Sequence, residues 1–221
     1  MTLRPEHSPA TELAVGPSLP DTGSVLIAGP TMTKKRRLML SMLAEKEHEN
    51  AGTVVVTTKK PAPTIAQELE HLTGVSPEQF EVIDTTSVAD LLDQRTTADN
   101  LRYVSSPGDL TGIGIHLTEA LREHYEASQS AQVGLHVLST LVMYADMKRL
   151  FQFLHVITGR IAATGFSGVF TLDTGFVDER ELALLKQPFD GIVETRETDG
   201  DPEYRVRGLD DGPQSWTPLR L

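Results

Sequence analysis

Residues 24–37 read SVLIAGPTMTKKRR, an apolar run followed by a glycine, a short loop and four consecutive cations. The apolar run predicts a buried strand, and LMLSML at residues 38–43 predicts the start of a helix. A strand and a helix joined by G-x-x-x-x-G-K-[ST] form a loop that binds phosphate. Gly29 and Lys35 match the first glycine and the lysine of that pattern. The segment therefore predicts a phosphate-binding loop.

Two working positions of this loop are altered. In the pattern, the second glycine lets the backbone approach the phosphate, and the oxygen of the serine or threonine binds Mg²⁺. In this chain Lys34 replaces that glycine and Arg36 replaces the serine or threonine. The cations of residues 34–37 lie on the first helical turn, where the helix dipole disfavours each by roughly 0.3–1 kcal/mol unless an anion is present. One interpretation is an anion site for phosphate, a nucleotide or an acidic segment, and the other is a set of solvated charges. The candidate binding residues are Gly29, Thr31, Thr33, Lys34, Lys35 and Arg36.

Composition limits the classes of function. The chain has 221 residues, enough for one α/β domain with a full core, and its net charge is −11. Such a surface repels DNA and anionic membranes on average. The absence of cysteine excludes a disulfide framework, a thiolate metal site and a cysteine nucleophile. No stretch has the roughly 20 apolar residues of a membrane span, and no signal peptide is visible, so we expect a cytoplasmic protein.

Strand-like and helical patterns alternate along most of the chain, which predicts a mostly parallel sheet flanked by helices. We interpret residues 1–21 as a flexible leader and 22–221 as one domain. The predicted strands are 24–28, 52–57, 80–84, 101–104, 134–138 and 167–172, and the predicted helices are 34–48, 63–73, 87–93, 110–127, 146–164 and 178–187. A tail of short strands is predicted at 190–196, 203–208 and 216–220.

The loop, the long helix from Met147, the strand GVFTLD at 168–173 and the segment FDGIVE at 189–194 together resemble the KaiC-like branch of the RecA ATPase superfamily. The resemblance is to the divergent forms of salt-loving archaea and covers residues 22–220. It implies a RecA-like P-loop NTPase fold with a C-terminal β tail, and it makes ATP a candidate ligand, with no cofactor assigned. It also implies a role in signal transduction, with a protein partner or a homo-oligomer.

The resemblance also locates two catalytic positions outside the loop, and both are altered. Lys59 and Lys60 stand where the family has carboxylates after the second strand, and a charged lysine cannot accept a proton from water. Leu138 stands where the family has the Mg²⁺-linked aspartate, while the following Ser139 is retained. We therefore assign no catalytic residue.

Asp173 offers a second match to the metal-linked aspartate, because it ends the largely apolar run VFTLD. Its alternative role is a cap on the following turn. The seven histidines show no H-x-x-x-H spacing, so the sequence predicts no metal centre other than this secondary candidate.

These observations favour a non-catalytic KaiC/RecA-like regulatory module with a degenerate site for a nucleotide or another anion. One alternative is an active ATPase that uses Lys35 and an unidentified carboxylate. The other is a nucleic-acid-binding RecA relative, against which the net charge of −11 argues.

Overall fold

A nine-stranded sheet forms the centre of the computed structural model, which describes residues 16–45, 52–86, 100–136 and 138–221. The strands are β1 Gly23–Gly29, β2 Gly52–Thr57, β3 Phe80–Asp84, β4 Leu101–Tyr103, β5 Ala131–His136, β6 Ser167–Asp173, β7 Gly191–Thr198, β8 Asp201–Arg207 and β9 Thr217–Pro218. The helices are α1 Lys35–Glu45, α2 Ala62–Thr73, α3 Leu110–Glu126, α4 Leu138–Tyr144, α5 Met147–Ala163 and α6 Glu179–Lys186.

The strand order is β4-β3-β2-β5-β6-β1-β7-β8-β9. Every pair from β4 to β7 is parallel, and β8 and β9 extend the sheet as an antiparallel tail. The Trp216 ring packs against this tail, with the guanidinium carbons of Arg196 and Arg205 at 4.2 and 4.5 Å from its centroid. The predicted fold class, a mostly parallel α/β sheet with a C-terminal β tail, is confirmed and is consistent with a RecA-like fold.

Helices cover both faces of the sheet, which is why the central strands are continuous apolar runs. In β1, Val25 and Ile27 face α1 and α2, whereas Leu26 and Ala28 face the layer of α3, α4, α5 and α6. Among the described residues, no helix is long and apolar enough to cross a membrane.

One element was predicted wrongly. The strand predicted at 134–138 ends at His136, and Leu138 instead begins α4, a helix that the sequence did not indicate. The helix predicted at 87–93 lies outside the described residues. Leu19, within the predicted leader, is buried beside α1, while residues 1–15 lie outside the described part.

The parallel strands bring the predicted site positions to one edge of the sheet. Gly29 at the end of β1 lies opposite Asp173 at the end of β6, and Thr57 at the end of β2 lies opposite His136 at the end of β5. Ligands of open α/β sheets bind beyond this carboxyl edge.

Candidate functional site

The loop between β1 and α1 keeps a left-handed turn at the position where the pattern has its second glycine. Lys34 has φ 57°, and the exposed Met32 has φ 67°. A side chain in this region costs about 1–2 kcal/mol per residue, a cost that glycine avoids. Residue 34 therefore has a backbone conformation that glycine adopts without this cost, although the residue here is lysine.

Gly29 is required by packing. A Cβ atom at this position would lie 2.1 Å from the Thr195 hydroxyl and 2.4 Å from the Thr195 carbonyl oxygen on β7. Both distances are far below van der Waals contact, so no larger residue fits without moving β7. The first glycine of the motif thus has a structural reason that is independent of any ligand.

The ammonium group of Lys35 is turned inward and surrounded by oxygens of the protein itself. Its Nζ lies 2.7 Å from Asp173 Oδ1 and donates hydrogen bonds to Thr33 Oγ1 at 3.1 Å and to the Pro30 carbonyl oxygen. Only 5% of the Lys35 side chain is exposed. Burial lowers the pKa of Lys35, although the hydrogen bond and the charge of Asp173 oppose this shift. The carboxylate of Asp173 thus occupies the position from which an anionic ligand would approach this ammonium.

Thr33 joins the loop to β7. Its buried hydroxyl donates to the Pro30 carbonyl oxygen at 2.9 Å and lies 2.8 Å from the hydroxyl of Thr195. Thr31 and Lys34, in contrast, are exposed. Of the predicted binding residues, the structure brings Gly29, Thr33 and Lys35 together with Asp173.

Arg36 points away from the loop toward helix α2, where it pairs with the Glu68 carboxylate. Lys60 Nζ lies 2.8 Å from the other carboxylate oxygen of Glu68. Burial raises the pKa of Glu68, but the bonds and charges of Arg36 and Lys60 outweigh burial and hold that pKa below its ordinary value. Sequence reasoning missed Glu68, because its contact with the loop crosses 32 residues and no local motif marks it.

His136 at the end of β5 is a buried neutral group beside these cations. Its Nδ1 lies 2.9 Å from the hydroxyl of Thr171 on β6. Burial lowers the pKa of His136 to about 3, with further contributions from the positive charges of Arg36, Lys59 and Lys35. The imidazole is therefore uncharged at neutral pH.

The two positions outside the loop where the RecA-like resemblance leads us to expect carboxylates have none. Lys59 is exposed beyond β2, and Leu138 is fully buried in the core. Asp84, at the end of the neighbouring β3, accepts hydrogen bonds from the Ala62 and Thr86 amides, both at 2.8 Å. Its carboxylate is thus already used to hold the start of α2.

Asp173 does not cap the turn that follows it, so that prediction was wrong. It precedes the 3-10 turn of residues 174–176, but its side chain makes no capping bond and instead faces Lys35. Its backbone is held by the retained Ser139, whose Oγ accepts from the Asp173 amide at 2.7 Å. No group of three metal-binding side chains occurs among the residues that the structure describes.

The arrangement fits a phosphate group better than it fits Mg·ATP. Lys35 and the amino end of α1 offer positive potential, provided that the phosphate displaces the Asp173 carboxylate. Arg36 supplies no oxygen for Mg²⁺ and is held by Glu68. The residues that would hold ATP are therefore Lys35 and the loop backbone, acting on its phosphates.

Comparison with known proteins identifies a family and a fold. The model of DUF7504, described as a family of unknown function, matches residues 22–195. No curated protein matches.

Solved structures share the fold at low sequence identity. The crystal structure of uncharacterized protein PH0321 from Pyrococcus horikoshii, in complex with an unknown peptide, is similar with a TM-score of 0.62 and 11% identity. The match covers 90% of this chain and 92% of PH0321. At this identity the likeness establishes the fold alone.

Proposed function

The chain belongs to DUF7504, a family of unknown function, and we propose that it is a non-catalytic, KaiC/RecA-like regulatory module. In this proposal the degenerate loop binds a phosphate-bearing anion, with ATP as the leading candidate, and does not hydrolyse it. The module acts in the cytoplasm in signal transduction through a protein partner.

One observation carries the proposal, namely the ion pair in which Asp173 Oδ1 lies 2.7 Å from Lys35 Nζ. An anion can bind Lys35 only by displacing a carboxylate that is already in place, so affinity is weak. Once bound, a phosphate group would still lack a Mg²⁺ ligand at Arg36, which faces Glu68.

Hydrolysis also requires a group that accepts a proton from the attacking water. Glu68 is a poor base because Arg36 and Lys60 hold its pKa below the ordinary value. His136 is neutral, but it is buried and its Nδ1 contacts Thr171. These contacts support the absence of catalysis.

An active ATPase is the second candidate, and the position of Asp173 is the observation that favours it. This carboxylate lies beside the loop at the end of β6, where a rotation away from Lys35 would free it for a metal or a water. The two candidates differ in their dependence on Mg²⁺.

Titration of fluorescent ATP, with and without Mg²⁺, tests the proposal together with an assay of phosphate release. We expect weak binding that does not require Mg²⁺, is lost in Lys35→Ala and persists in Lys148→Ala, a control at an exposed lysine of α5. No phosphate release is expected. Mg²⁺-dependent release that Lys35→Ala abolishes would instead establish the ATPase.

PH0321, which shares the fold, was crystallised in complex with an unknown peptide. This supports a search for a peptide or protein partner of the present chain. A homo-oligomer is the other arrangement that the KaiC/RecA resemblance implies, and light scattering separates the two.

A further inference from the structure

Basic side chains from two segments of the chain meet at the carboxyl edge of the sheet. Lys35 and Arg36 begin helix α1, and Lys59 and Lys60 directly follow strand β2. Glu68 of α2 joins the two segments, because one of its carboxylate oxygens pairs with Arg36 and the other lies 2.8 Å from Lys60 Nζ. The four basic residues therefore form one cluster.

The buried His136 at the end of β5 is close to both segments. Its carbonyl oxygen accepts a hydrogen bond at 3.0 Å from the amide of Thr58, the residue before Lys59. Burial lowers the pKa of His136, and the positive charges of Arg36, Lys59 and Lys35 lower it further. Cations of the loop and a cation after β2 thus act on the same imidazole.

Among the described residues, the carboxylates that contact this cluster are fewer than its cations. Asp173 pairs with Lys35, and Glu68 is shared by two of the other cations. The fourth cation, Lys59, is exposed. A third carboxylate at this edge, that of Asp84, already accepts hydrogen bonds from two backbone amides. Even when all three carboxylates are counted, the cations are in excess.

The net charge of −11 does not cancel this local excess. Exposed charges more than about 10 Å apart are largely screened at 0.1 M salt. A ligand at this edge therefore responds mainly to the charges around it. The exposed Lys34 and Arg37 add to the excess at the start of α1, where the helix dipole also favours an anion.

The cations lie in two groups, and this separation favours a ligand with more than one phosphate. Lys35 Nζ lies beside Asp173 at the end of β6, and β5 separates β6 from β2, which Lys59 follows. Neighbouring strands are about 4.8 Å apart, so the ends of β6 and β2 are separated by roughly 10 Å. A single phosphate bound at Lys35 does not reach the second group, whereas a chain of two or three phosphates extends toward it.

Positive charge supplied by the protein also changes the effect of Mg²⁺. In the phosphate-loop pattern, a hydroxyl at the position of Arg36 binds Mg²⁺. The guanidinium group at this position repels Mg²⁺ instead. Mg²⁺ that is bound to a phosphate chain in solution neutralises part of the charge that the cluster attracts, so the cluster favours the metal-free chain.

We propose that Lys59 and Lys60, together with Arg36, form a second phosphate position beside Lys35, and that the site selects a metal-free di- or triphosphate over a single phosphate. This inference deepens the proposed function and rests on it, since it names the ligand class and adds binding residues. Nucleotides and inorganic polyphosphates share the recognised chemistry, a chain of linked phosphates.

Displacement of fluorescent ATP at fixed ionic strength measures this selection, with orthophosphate, tripolyphosphate and unlabelled ATP as competitors. We expect tripolyphosphate to bind about tenfold or more tightly than orthophosphate, and Mg²⁺ to weaken its binding. Lys59→Ala and Lys60→Ala should each lower the affinity for tripolyphosphate about fivefold and change that for orthophosphate less than about twofold. Tighter binding of ATP than of tripolyphosphate would identify a nucleotide as the source of the chain, and equal binding would identify the phosphates alone. Both outcomes support the second position when Lys59→Ala weakens them.

Glu68→Gln changes the same cluster in the opposite direction. It removes the carboxylate that Arg36 and Lys60 share, so the affinity for tripolyphosphate should rise about fivefold, a gain that loss of folding cannot produce. Glu70→Gln makes the same change at an exposed position of α2, and Lys148→Ala removes an exposed lysine of α5. Both controls should bind tripolyphosphate as the unaltered chain does, and circular dichroism establishes that every variant is folded.

Equal affinity for orthophosphate and tripolyphosphate, tighter binding with Mg²⁺, or an unchanged affinity in both lysine variants would overturn the second position. An equal gain in Glu68→Gln and Glu70→Gln would reflect only the change in net charge and would overturn it as well.

Failure of the proposed function gives different results. Mg²⁺-dependent ATP hydrolysis that Lys35→Ala abolishes would refute the non-catalytic module, and no binding of any anion would refute the phosphate loop together with the second position. Binding of orthophosphate without preference for the longer chain would refute the second position alone.

Discussion

At the scale of single residues, the ion pair of Lys35 and Asp173 is central to the proposed binding of an anion by the loop. Lys35 is the residue that matches the lysine of the phosphate-loop pattern. Its partner Asp173 lies far along the chain, at the end of β6, and the sequence identified it only as a metal or capping candidate. The loop's main cation is therefore neutralised by a residue that no local pattern connects to it.

Asp173→Asn is expected to raise the affinity for inorganic pyrophosphate about tenfold, equivalent to about 1.4 kcal/mol. The neutral asparagine side chain does not repel the anion as the carboxylate does. The positive charge of Lys35 is then no longer balanced by Asp173. The same substitution deprives the buried Lys35 ammonium of its charged partner, so we expect the free energy of unfolding to fall by about 1–3 kcal/mol. Isothermal titration calorimetry and urea unfolding measure the two effects.

The exposed Asp201 on β8 provides the control, since Asp201→Asn removes the same charge away from the loop. An affinity that rises equally in both variants would indicate only the change in net charge. Unchanged affinity in Asp173→Asn would contradict the view that this carboxylate competes with the ligand.

His136 predicts a loss of stability in acid. Its folded pKa is about 3 against an ordinary value of 6.5, so below pH 6.5 the unfolded chain takes up a proton that the folded chain refuses. Stability is therefore lost as the pH falls from 6.5 toward 3, by about 2 kcal/mol at pH 5. His136→Asn, which keeps an amide near the position of Nδ1, should remove this loss.

Urea unfolding at pH 7.5 and pH 5, compared between the variant and the unaltered chain, measures the contribution of His136. The comparison is necessary because His124 acts in the opposite direction. Its contact with Glu81 raises the pKa of His124, so its contribution is present below pH 6.5 and is lost as the pH rises through the folded pKa. An identical pH dependence in the two proteins would show that His136 titrates normally.

At the scale of elements, the loop between β1 and α1 has a left-handed backbone conformation at residue 34, where the phosphate-loop pattern has glycine and this chain has lysine. Its turn requires the left-handed region at residue 34, and lysine adopts it with φ 57°. The glycine of the motif is thus replaced at an energetic cost.

Lys34→Gly is expected to be more stable than Lys34→Ala by about 1 kcal/mol, because both remove the charge and only glycine removes the strain. Urea unfolding measures the difference. Ser128, with φ 56° at the end of α3, offers a reference pair in which glycine should likewise exceed alanine. If Lys34→Ala were the more stable variant, residue 34 would not have the left-handed backbone conformation.

Helix α4 is the element that sequence analysis did not find. Residues 138–144 read LSTLVMY, an apolar segment too short for its periodicity to separate a helix from a strand. Its conformation follows from contacts, since Leu138 and Leu141 enter the core and Ser139 bonds the Asp173 amide. The sequence analysis placed Leu138 at the end of a strand, and it therefore did not predict the position of Leu138 in a helix.

At the scale of the whole molecule, strand order assembles the site. Strands β6 and β5 lie between β1 and β2, so the ends of four strands that are distant in sequence form one edge. Lys59, just after β2, and Lys35 and Arg36 of α1 contribute positive charge near His136, although the chain as a whole carries a charge of −11. A net charge describes the average surface and does not reveal such a local cluster.

The sequence by itself determined the α/β class, most helices and strands, and the position of the loop between β1 and α1, because periodicity and chain order are local properties. Only the tertiary structure decided that Asp173 pairs with Lys35 and that Glu68 pairs with Arg36. The physical reason is that these contacts join groups far apart in the chain. Their geometry depends on strand order and packing, which no short segment encodes.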